Sequence, residues 1–155
     1  MKRIDITKAA TVRGTLYPAP FDTPCRKRGR IKLGDAAGLE QFGVNLCRLP
    51  PGAWSSQRHW HTGEDEFVFV VEGEVVLVTD AGEEVLKVGD CAGFRANDED
   101  GHHIQNRSQR DALILEVGSR REDDVCWYSD IDMKTGGDGY QHRDGTLYPA
   151  GPRKD

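Results

Sequence analysis

The chain has 155 residues, 37% of them hydrophobic, and a formal net charge of -5, a size that suits one domain with one core. Its acidic balance, with a pI near 5.5, provides no broad basic field, so no nucleic-acid partner is expected. No apolar run reaches the roughly 18 residues that span a bilayer, and the first residues lack the apolar stretch of a signal peptide, so we expect a cytoplasmic protein without membrane contact.

Residues 1–41 are irregular and predict an extended N-terminal arm. A basic segment, Arg26 to Arg30, is typical of a solvated loop, with phosphate or nucleic-acid contact as the alternative. The hexapeptide Gly-Thr-Leu-Tyr-Pro-Ala occupies 14–19 and again 145–150. Either the two ends share this extended Tyr-Pro chemistry by coincidence or local duplication, or both copies dock in equivalent grooves, for example across a dimer.

From residue 42, short runs rich in β-forming residues recur between turn residues and predict an all-β barrel or sandwich. The runs are QFGVNLCRL, EFVFVVEG, EVVLVTD, EEVLKVGD and DALILEVG. The sequence Asp80-Ala81-Gly82 predicts a tight hairpin with positive φ at the glycine. Helical periodicity is lacking, so helix content should be low. We assign residues 42–118 to the barrel and 119–155 to a C-terminal strand and tail packed on it.

The four cysteines are scattered along the chain and form no Cys-x-x-Cys pair. Neither a zinc knuckle nor a disulfide framework is therefore predicted. We expect reduced thiols, with Cys47 and Cys91 packed in the core.

The segment GAWSSQRHWHTGEDEFVFVVEG, residues 52–73, carries candidate metal ligands. His59 and His61 are two residues apart, so on a strand their side chains share one face. The turn that follows can bring Glu66 back beside them. Imidazole and carboxylate groups without a thiolate suit one divalent ion of manganese, iron, nickel, cobalt or zinc.

A fourth ligand is expected from GHHIQN at 101–106. Only one of two adjacent histidines can face the interior from a strand. His102 shares parity with Ile104 and Asn106 and is preferred. His103 is expected on the opposite face, as a surface or interface histidine, although this register stays open.

The same alternation has a packing consequence for the strand that begins at Glu66. If Glu66 faces inward, then Phe67, Phe69 and Val71 face outward. Large apolar side chains on an outer face need cover, from the N-terminal arm or from a second subunit. A homodimer is the preferred interpretation.

The spacing His59-x-His61-x4-Glu66-x6-Gly73, preceded by Gly52, resembles the first conserved motif of the cupin superfamily. This resemblance implies a double-stranded β-helix, a jelly-roll of six to eight strands with extended N- and C-terminal arms. It also implies a metal ion bound by three histidines and one glutamate.

The second cupin motif is resembled more loosely, by FRAN at 94–97 and HHIQN at 102–106. Arg95 stands where a proline is usual, and Asn97 stands near a usual glycine. Asparagine adopts the left-handed conformation more readily than most residues, so the turn should persist. The stretches LGDAAGLEQFGVNL, PPGAWSSQRHWH, GHHIQNRS and VCWYSDIDM resemble bacterial single-domain cupins often labelled sugar-phosphate-isomerase-like or regulatory.

A shared fold does not select a reaction, so function must be argued from the site. The preferred hypothesis is a metal-dependent enzyme, an isomerase or dioxygenase acting on a small polar metabolite. The alternative is a non-catalytic small-molecule-binding or sensory module, and a purely structural metal site is a third reading. Candidate proton-transfer groups are Glu64, His103 and tyrosines of the arms, and candidate anion-binding groups are Arg48, Arg58 and Arg95.

Overall fold

The computed structural model describes residues 3–155; the first two positions of the predicted arm, Met1 and Lys2, lie outside the described residues. The described residues form thirteen short strands. The strands are β1 (Thr11–Arg13), β2 (Gly29–Lys32), β3 (Phe42–Leu49), β4 (His59–His61), β5 (Glu66–Glu72), β6 (Glu74–Thr79), β7 (Gly82–Lys87), β8 (Cys91–Phe94), β9 (His103–Gln105), β10 (Ala112–Ser119), β11 (Cys126–Tyr128), β12 (Lys134–Gly136) and β13 (Gly139–Gln141).

Helix is scarce, as the sequence predicts. One α-helix, α1 (Leu33–Ala37), and two 3₁₀ turns, Ile6–Lys8 and Thr23–Cys25, are the helical elements of residues 3–155. Within that range no helix has the length and hydrophobicity needed to cross a membrane.

The strands form two antiparallel layers. One layer is a six-stranded sheet in the order β1-β2-β3-β10-β5-β8. The other contains the sheets β13-β12-β11-β4 and β7-β6-β9, which a bridge joins at His59–His102. The all-β prediction is therefore confirmed. The three histidine candidates lie where the two parts of the second layer meet, and Glu66 lies on β5 of the six-stranded sheet.

The core lies between the layers. It is formed by every second residue of the strands, whose side chains point inward. Leu49, Val70, Val75, Ile104 and Ile114 are at most 2% exposed and belong to one cluster. Burying each such side chain stabilises the fold by about 1.5–3 kcal/mol relative to leaving it in water. This packed interior fixes the strands that carry the site.

The two ends of the chain extend the layers. Strands β1 and β2 continue the six-stranded sheet beyond β3, and β11 to β13 continue the other layer beyond β4. A second buried cluster, of Tyr17, Cys25, Cys126, Tyr128 and Met133, packs the two ends against each other. The division of the chain into arm, barrel and tail remains a prediction.

Three local predictions are confirmed. Strands β6 and β7 form the hairpin, with Thr79 opposite Gly82 and a φ of 123° at that glycine. Asn97 adopts a φ of 63°, the left-handed conformation expected of it. On β5, Phe67 and Phe69 are 39% and 36% exposed while the alternate valines are buried.

Two predictions were wrong. The segment Arg26–Arg30 is not simply a solvated loop, because Arg28 is 8% exposed and Arg30 lies on β2 with a partly buried side chain. Cys91 is exposed on β8, whereas Cys47 is buried in the core as expected. All four cysteines are free thiols.

The repeated hexapeptides lie beside each other rather than in equivalent settings. Both line one small cavity of about 320 Å³, close to a bridge between Thr15 and Lys154. Tyr17 of the first copy is buried against Tyr128. Tyr148 of the second copy instead stacks on His142. The equivalent-groove interpretation therefore does not hold within one chain.

Candidate metal centre

Three imidazole rings converge on one carboxylate oxygen. Glu66 Oε2 lies 3.0 Å from Nε2 of His102, 3.3 Å from Nε2 of His59 and 3.5 Å from Nε2 of His61. Of the two adjacent histidines, His102 is the one that the fold brings to Glu66. The four groups come from β4, from the start of β5 and from the residue just before β9, so only the folded barrel assembles them.

Local backbone geometry sets these positions. His59 and His61 share a face of β4, and His102 joins His59 through a pair of backbone hydrogen bonds of 2.8 and 3.1 Å. At Gly101 an added Cβ would collide with the Ser129 hydroxyl. Any other residue there would therefore require Ser129 to move.

The outer nitrogens of the three rings differ in their partners. His61 Nδ1 lies 2.6 Å from Asp124 Oδ2, and His59 Nδ1 lies 2.9 Å from the Gln57 carbonyl oxygen. Both acceptors require a proton on Nδ1, which leaves the Nε2 lone pairs directed at Glu66. His102 Nδ1 is buried without a hydrogen-bond partner among residues 3–155, and its ring stacks on Phe94.

The electrostatics of this cluster suit a cation. Burial acts to raise the pKa of Glu66, but without a metal ion, protons on the facing nitrogens of His102 and His59 outweigh burial and hold that pKa well below its ordinary value. Burial lowers the pKa of His102. Neutral imidazole lone pairs facing an ionised carboxylate are an unfavourable arrangement unless positive charge lies among them. The residues present therefore fit a divalent metal ion.

A thiol lies at the same place. Ring nitrogens of His59 and His61 and the sulfur of Cys126 lie within 4.8 Å of one another. The metal site was predicted without a thiolate ligand, because Cys126 follows His59 and His61 by more than sixty positions and belongs to no Cys-x-x-Cys pair.

The ligand cluster forms part of the walls of two cavities. The larger, about 430 Å³, contains all four ligand candidates and four basic residues, Arg28, Arg30, Lys32 and Arg120. The smaller, about 270 Å³, includes His61, Glu66 and His102 but has a more acidic lining, with Glu84, Asp98 and Asp100. Glu64 and Glu116 also line the larger cavity, so the cluster is open to one cavity of mixed, slightly basic lining and to a more acidic one.

The buried arginines of the larger cavity are held by hydrogen bonds. Arg30 donates to both carboxylate oxygens of Glu116, at 2.6 and 2.8 Å, and to the Ser55 carbonyl at 2.9 Å. Arg28 donates to the same Ser55 carbonyl and to the Gly14 carbonyl. Neither residue was predicted from the sequence to line the site. The alternation of Arg28, Arg30 and Lys32 is the signal that could have placed them on one strand face.

Comparison with known proteins agrees with this fold. Residues 45–118 match the family model described as the cupin domain. A solved structure from Silicibacter pomeroyi, described as a sugar phosphate isomerase from a cupin superfamily, is 43% identical with a TM-score of 0.89, over 96% of this chain and 98% of that one. The chain belongs to the cupin superfamily. The double-stranded β-helix predicted from the motifs is confirmed.

More distant solved structures share the fold alone. A protein from Acidithiobacillus ferrooxidans, provisionally assigned as a sugar phosphate isomerase, is 24% identical with a TM-score of 0.75, over 91% of this chain and 88% of that one. A Thermotoga maritima protein, assigned by prediction as an oxalate decarboxylase, is 19% identical with a TM-score of 0.62, over 77% of this chain and all of that one. No curated protein matches the sequence.

The catalytic candidates of this cupin are distributed unevenly. Glu64 lines both cavities, and burial raises its pKa. Arg95 lines the smaller cavity. Arg58 is outside the lining of both cavities and pairs with Asp130 and Asp80.

Two other candidates lie away from the ligand cluster. Arg48 pairs with Asp111. His103 is not the expected surface or interface histidine, because it is 4% exposed and packs against Trp54. Its ring nitrogens contact the Ser56 carbonyl and the Gln105 side chain, and burial lowers its pKa to about 4. Trp54 covers the outward face on which His103 lies, and this long-range contact was not predictable from the local pattern.

Proposed function

We propose that this cupin is a cytoplasmic metal-dependent enzyme that acts on a small polar metabolite, in the manner of a sugar phosphate isomerase or an oxygenase. Its metal ligands are His59, His61, Glu66 and His102. The observation that carries the proposal is the convergence of three Nε2 atoms within 3.5 Å of one carboxylate oxygen, beside a cavity large enough for a small metabolite.

A bound divalent ion would supply Lewis-acid polarisation of a substrate oxygen. The protein's own contribution is orientation of the ligands. The Gln57 carbonyl and the Asp124 carboxylate hold the protons of His59 and His61 on Nδ1, and Glu66 stays ionised. These contacts keep the donor atoms in the state that coordination requires.

The basic side of the larger cavity favours an anionic substrate. Arg28 and Arg30 are held in place by hydrogen bonds, so little side-chain entropy is lost when they contact a substrate. Glu116 offsets the charge of Arg30, and Asp35 offsets that of Arg120. Arg28 and Lys32 supply the rest of the positive charge of this lining. The Silicibacter pomeroyi relative is described as a sugar phosphate isomerase, so sugar phosphates are the first substrate class to test.

Glu64 is the candidate proton-transfer residue. It lines both cavities beside the ligand cluster, and burial raises its pKa toward the range useful for general acid–base chemistry. Tyr17 and Tyr128 also line the larger cavity. Burial raises the pKa of each, so they stay protonated and serve as hydrogen-bond donors to substrate.

The metal content is tested first. Tag-free protein, purified without chelator, is measured by plasma mass spectrometry beside His59→Ala/His102→Ala and the control His142→Ala, whose ring contacts Asp132 and Tyr148 outside the site. We expect near one equivalent of a transition metal in wild type and control, and loss in the double variant. Absence of metal from every sample after reconstitution with manganese, iron, cobalt, nickel and zinc would refute the enzyme proposal.

Turnover is tested with aldose and ketose phosphates in deuterated water, where isomerisation introduces solvent deuterium beside the carbonyl. Glu64→Gln should retain the metal and lose about 10²–10⁴-fold in rate, the range for removal of a general acid or base. The matched control Glu83→Gln, an exposed glutamate paired with Arg107, should keep full activity. Equal rates in both variants would remove Glu64 from the mechanism.

The alternative function is a non-catalytic small-molecule-binding or sensory cupin. One observation favours it, because Glu64 already has a structural partner: its Oε1 accepts a hydrogen bond from the Arg121 backbone at 2.7 Å. Stoichiometric metal, saturable binding of a sugar phosphate by calorimetry and no deuterium incorporation would select this function.

We also propose a homodimer through the outer face of the six-stranded sheet. Phe67, Phe69 and Val71 are between 36% and 41% exposed in the single chain. An apolar sheet face can match its own copy across a two-fold axis. Light scattering should give twice the 17.3 kDa chain mass, and Phe69→Lys should give one chain mass. A monomeric wild type at micromolar concentration would refute the dimer.

A further inference from the structure

Cys126 is the unexplained member of the metal centre. It begins β11, directly opposite His61 on β4, and paired residues of antiparallel strands direct their side chains to the same face. Its sulfur and ring nitrogens of His59 and His61 lie within 4.8 Å of one another. This second group shares His59 with the group of His59, Glu66 and His102, whose ligand atoms meet the same distance limit.

The Cys126 side chain points into the protein, toward the larger cavity. The residue is 8% exposed, yet it contributes to the wall of the larger cavity. By contrast, Cys91 is exposed on β8, and Cys47 is fully buried in the apolar core without lining the cavity. Cys126 is therefore a thiol that the fold places beside ligand nitrogens.

The distances are close to those of a shared ion. Zinc binds sulfur at about 2.3 Å and imidazole nitrogen at about 2.1 Å with tetrahedral geometry, so two ligand atoms on one ion are about 3.4–3.6 Å apart. Atoms within 4.8 Å of one another need to approach by at most about an ångström, which side-chain rotation can supply. Coordination would release the thiol proton to solvent and leave a thiolate on the ion.

We propose that Cys126 is a conditional additional ligand of the metal centre, recruited by thiophilic ions such as zinc and cobalt and left free by the harder manganese. Thiolate is soft and favours zinc over ions that prefer oxygen. The chain would then hold two overlapping ligand sets that share His59 and His61, and the identity of the ion would decide whether Cys126 joins the other ligands. This inference rests on the proposed metal site.

The test uses metal-free protein loaded with cobalt, in wild type, Cys126→Ser, Cys126→Ala and the control Cys91→Ser. Wild type and control should show intense near-ultraviolet thiolate-to-cobalt absorption. Both Cys126 variants should bind one equivalent of cobalt, verified by plasma mass spectrometry, without that band. Serine and alanine differ in polarity, so the test does not depend on one variant folding correctly. Circular dichroism shows whether each variant keeps its β-structure.

A second measurement addresses selectivity. X-ray absorption of zinc-loaded wild type should show a sulfur neighbour at about 2.3 Å. The ratio of zinc to manganese affinity should fall at least about tenfold in Cys126→Ser, the lower end of what loss of a supporting contact causes at metal sites. Stoichiometric cobalt without the thiolate band in wild type would overturn the Cys126 assignment and leave the proposed function intact. Failure to bind any ion would overturn both.

Discussion

Replacing Asp124 separates metal affinity from folding stability. Its Oδ2 accepts from His61 Nδ1 at 2.6 Å, and its Oδ1 accepts from the Gly63 backbone at 2.8 Å. In Asp124→Asn the amide oxygen can still accept the hydrogen bond from the Gly63 backbone N–H. The amide NH₂ must then face the His61 imidazole. The metal-free protein can respond by moving the His61 proton to Nε2, because Nδ1 then accepts from the amide.

That tautomer blocks coordination through Nε2. Binding a metal would force Nδ1–H against the amide NH₂, two donors facing each other. Loss of a supporting partner at metal sites reduces affinity by about 10- to 100-fold, or about 1.4–2.7 kcal/mol. We expect the loss of metal affinity in Asp124→Asn to be near about 100-fold, the upper end of this range. The free energy of unfolding of the metal-free protein should change by less than about 1 kcal/mol. Asp124→Ala should also lose about 1–3 kcal/mol of stability, since the Gly63 N–H loses its partner.

The assay is competition for zinc against a chromophoric chelator, combined with urea unfolding of the metal-free protein. The control is Asp123→Asn, the exposed neighbour whose carboxylate contacts Arg121. Zinc affinity of Asp124→Asn within twofold of wild type and control would show that Asp124 does not orient His61, and the argument would fail.

Three further predictions concern stability of the metal-free protein, measured by urea unfolding. Ile114→Ala, at a fully buried position, should cost about 2–5 kcal/mol; a loss below 1 kcal/mol would contradict the core assignment. Arg30→Met should cost about 3 kcal/mol by leaving Glu116 partly buried without its partner, and Arg30→Met/Glu116→Leu should recover most of it. His103 is neutral when folded until about pH 4 but protonates near 6.5 when unfolded, so stability falls as pH drops through that window, and His103→Gln should show a shallower fall.

The period-two pattern carried most of what the sequence predicted correctly. Alternation on β5 placed Val68 and Val70 inside and Phe67 outside, and parity chose His102 for the cluster. These inferences succeed because a strand's side-chain direction is fixed locally, one residue at a time. The turn at Asn97 was predictable for the same reason, since its conformation depends on the residue itself.

The wrong predictions concern side chains whose exposure to solvent is set by contacts with residues far away in the sequence. A run of five mostly basic residues predicts solvation, but Arg28 and Arg30 find backbone and carboxylate acceptors on segments far away in the sequence. His103 has the predicted orientation, yet Trp54 covers that face. Sequence periodicity says which way a side chain points, and only the tertiary structure says whether water or protein lies there.

The residues that could distinguish this metal site from those of other cupins lie largely outside residues 45–118. The family model matches residues 45–118, which contain the three histidines and Glu66. Arg28 and Arg30 precede that range, whereas Asp124 and Cys126 follow it. A ligand set shared across a fold cannot select a reaction. The flanking segments set the charge of the cavity and the orientation of His61, and they supply the proposed thiolate ligand. We therefore expect substrate specificity to follow these segments. Exchanging them between related cupins would test this more directly than further substitution of the ligands.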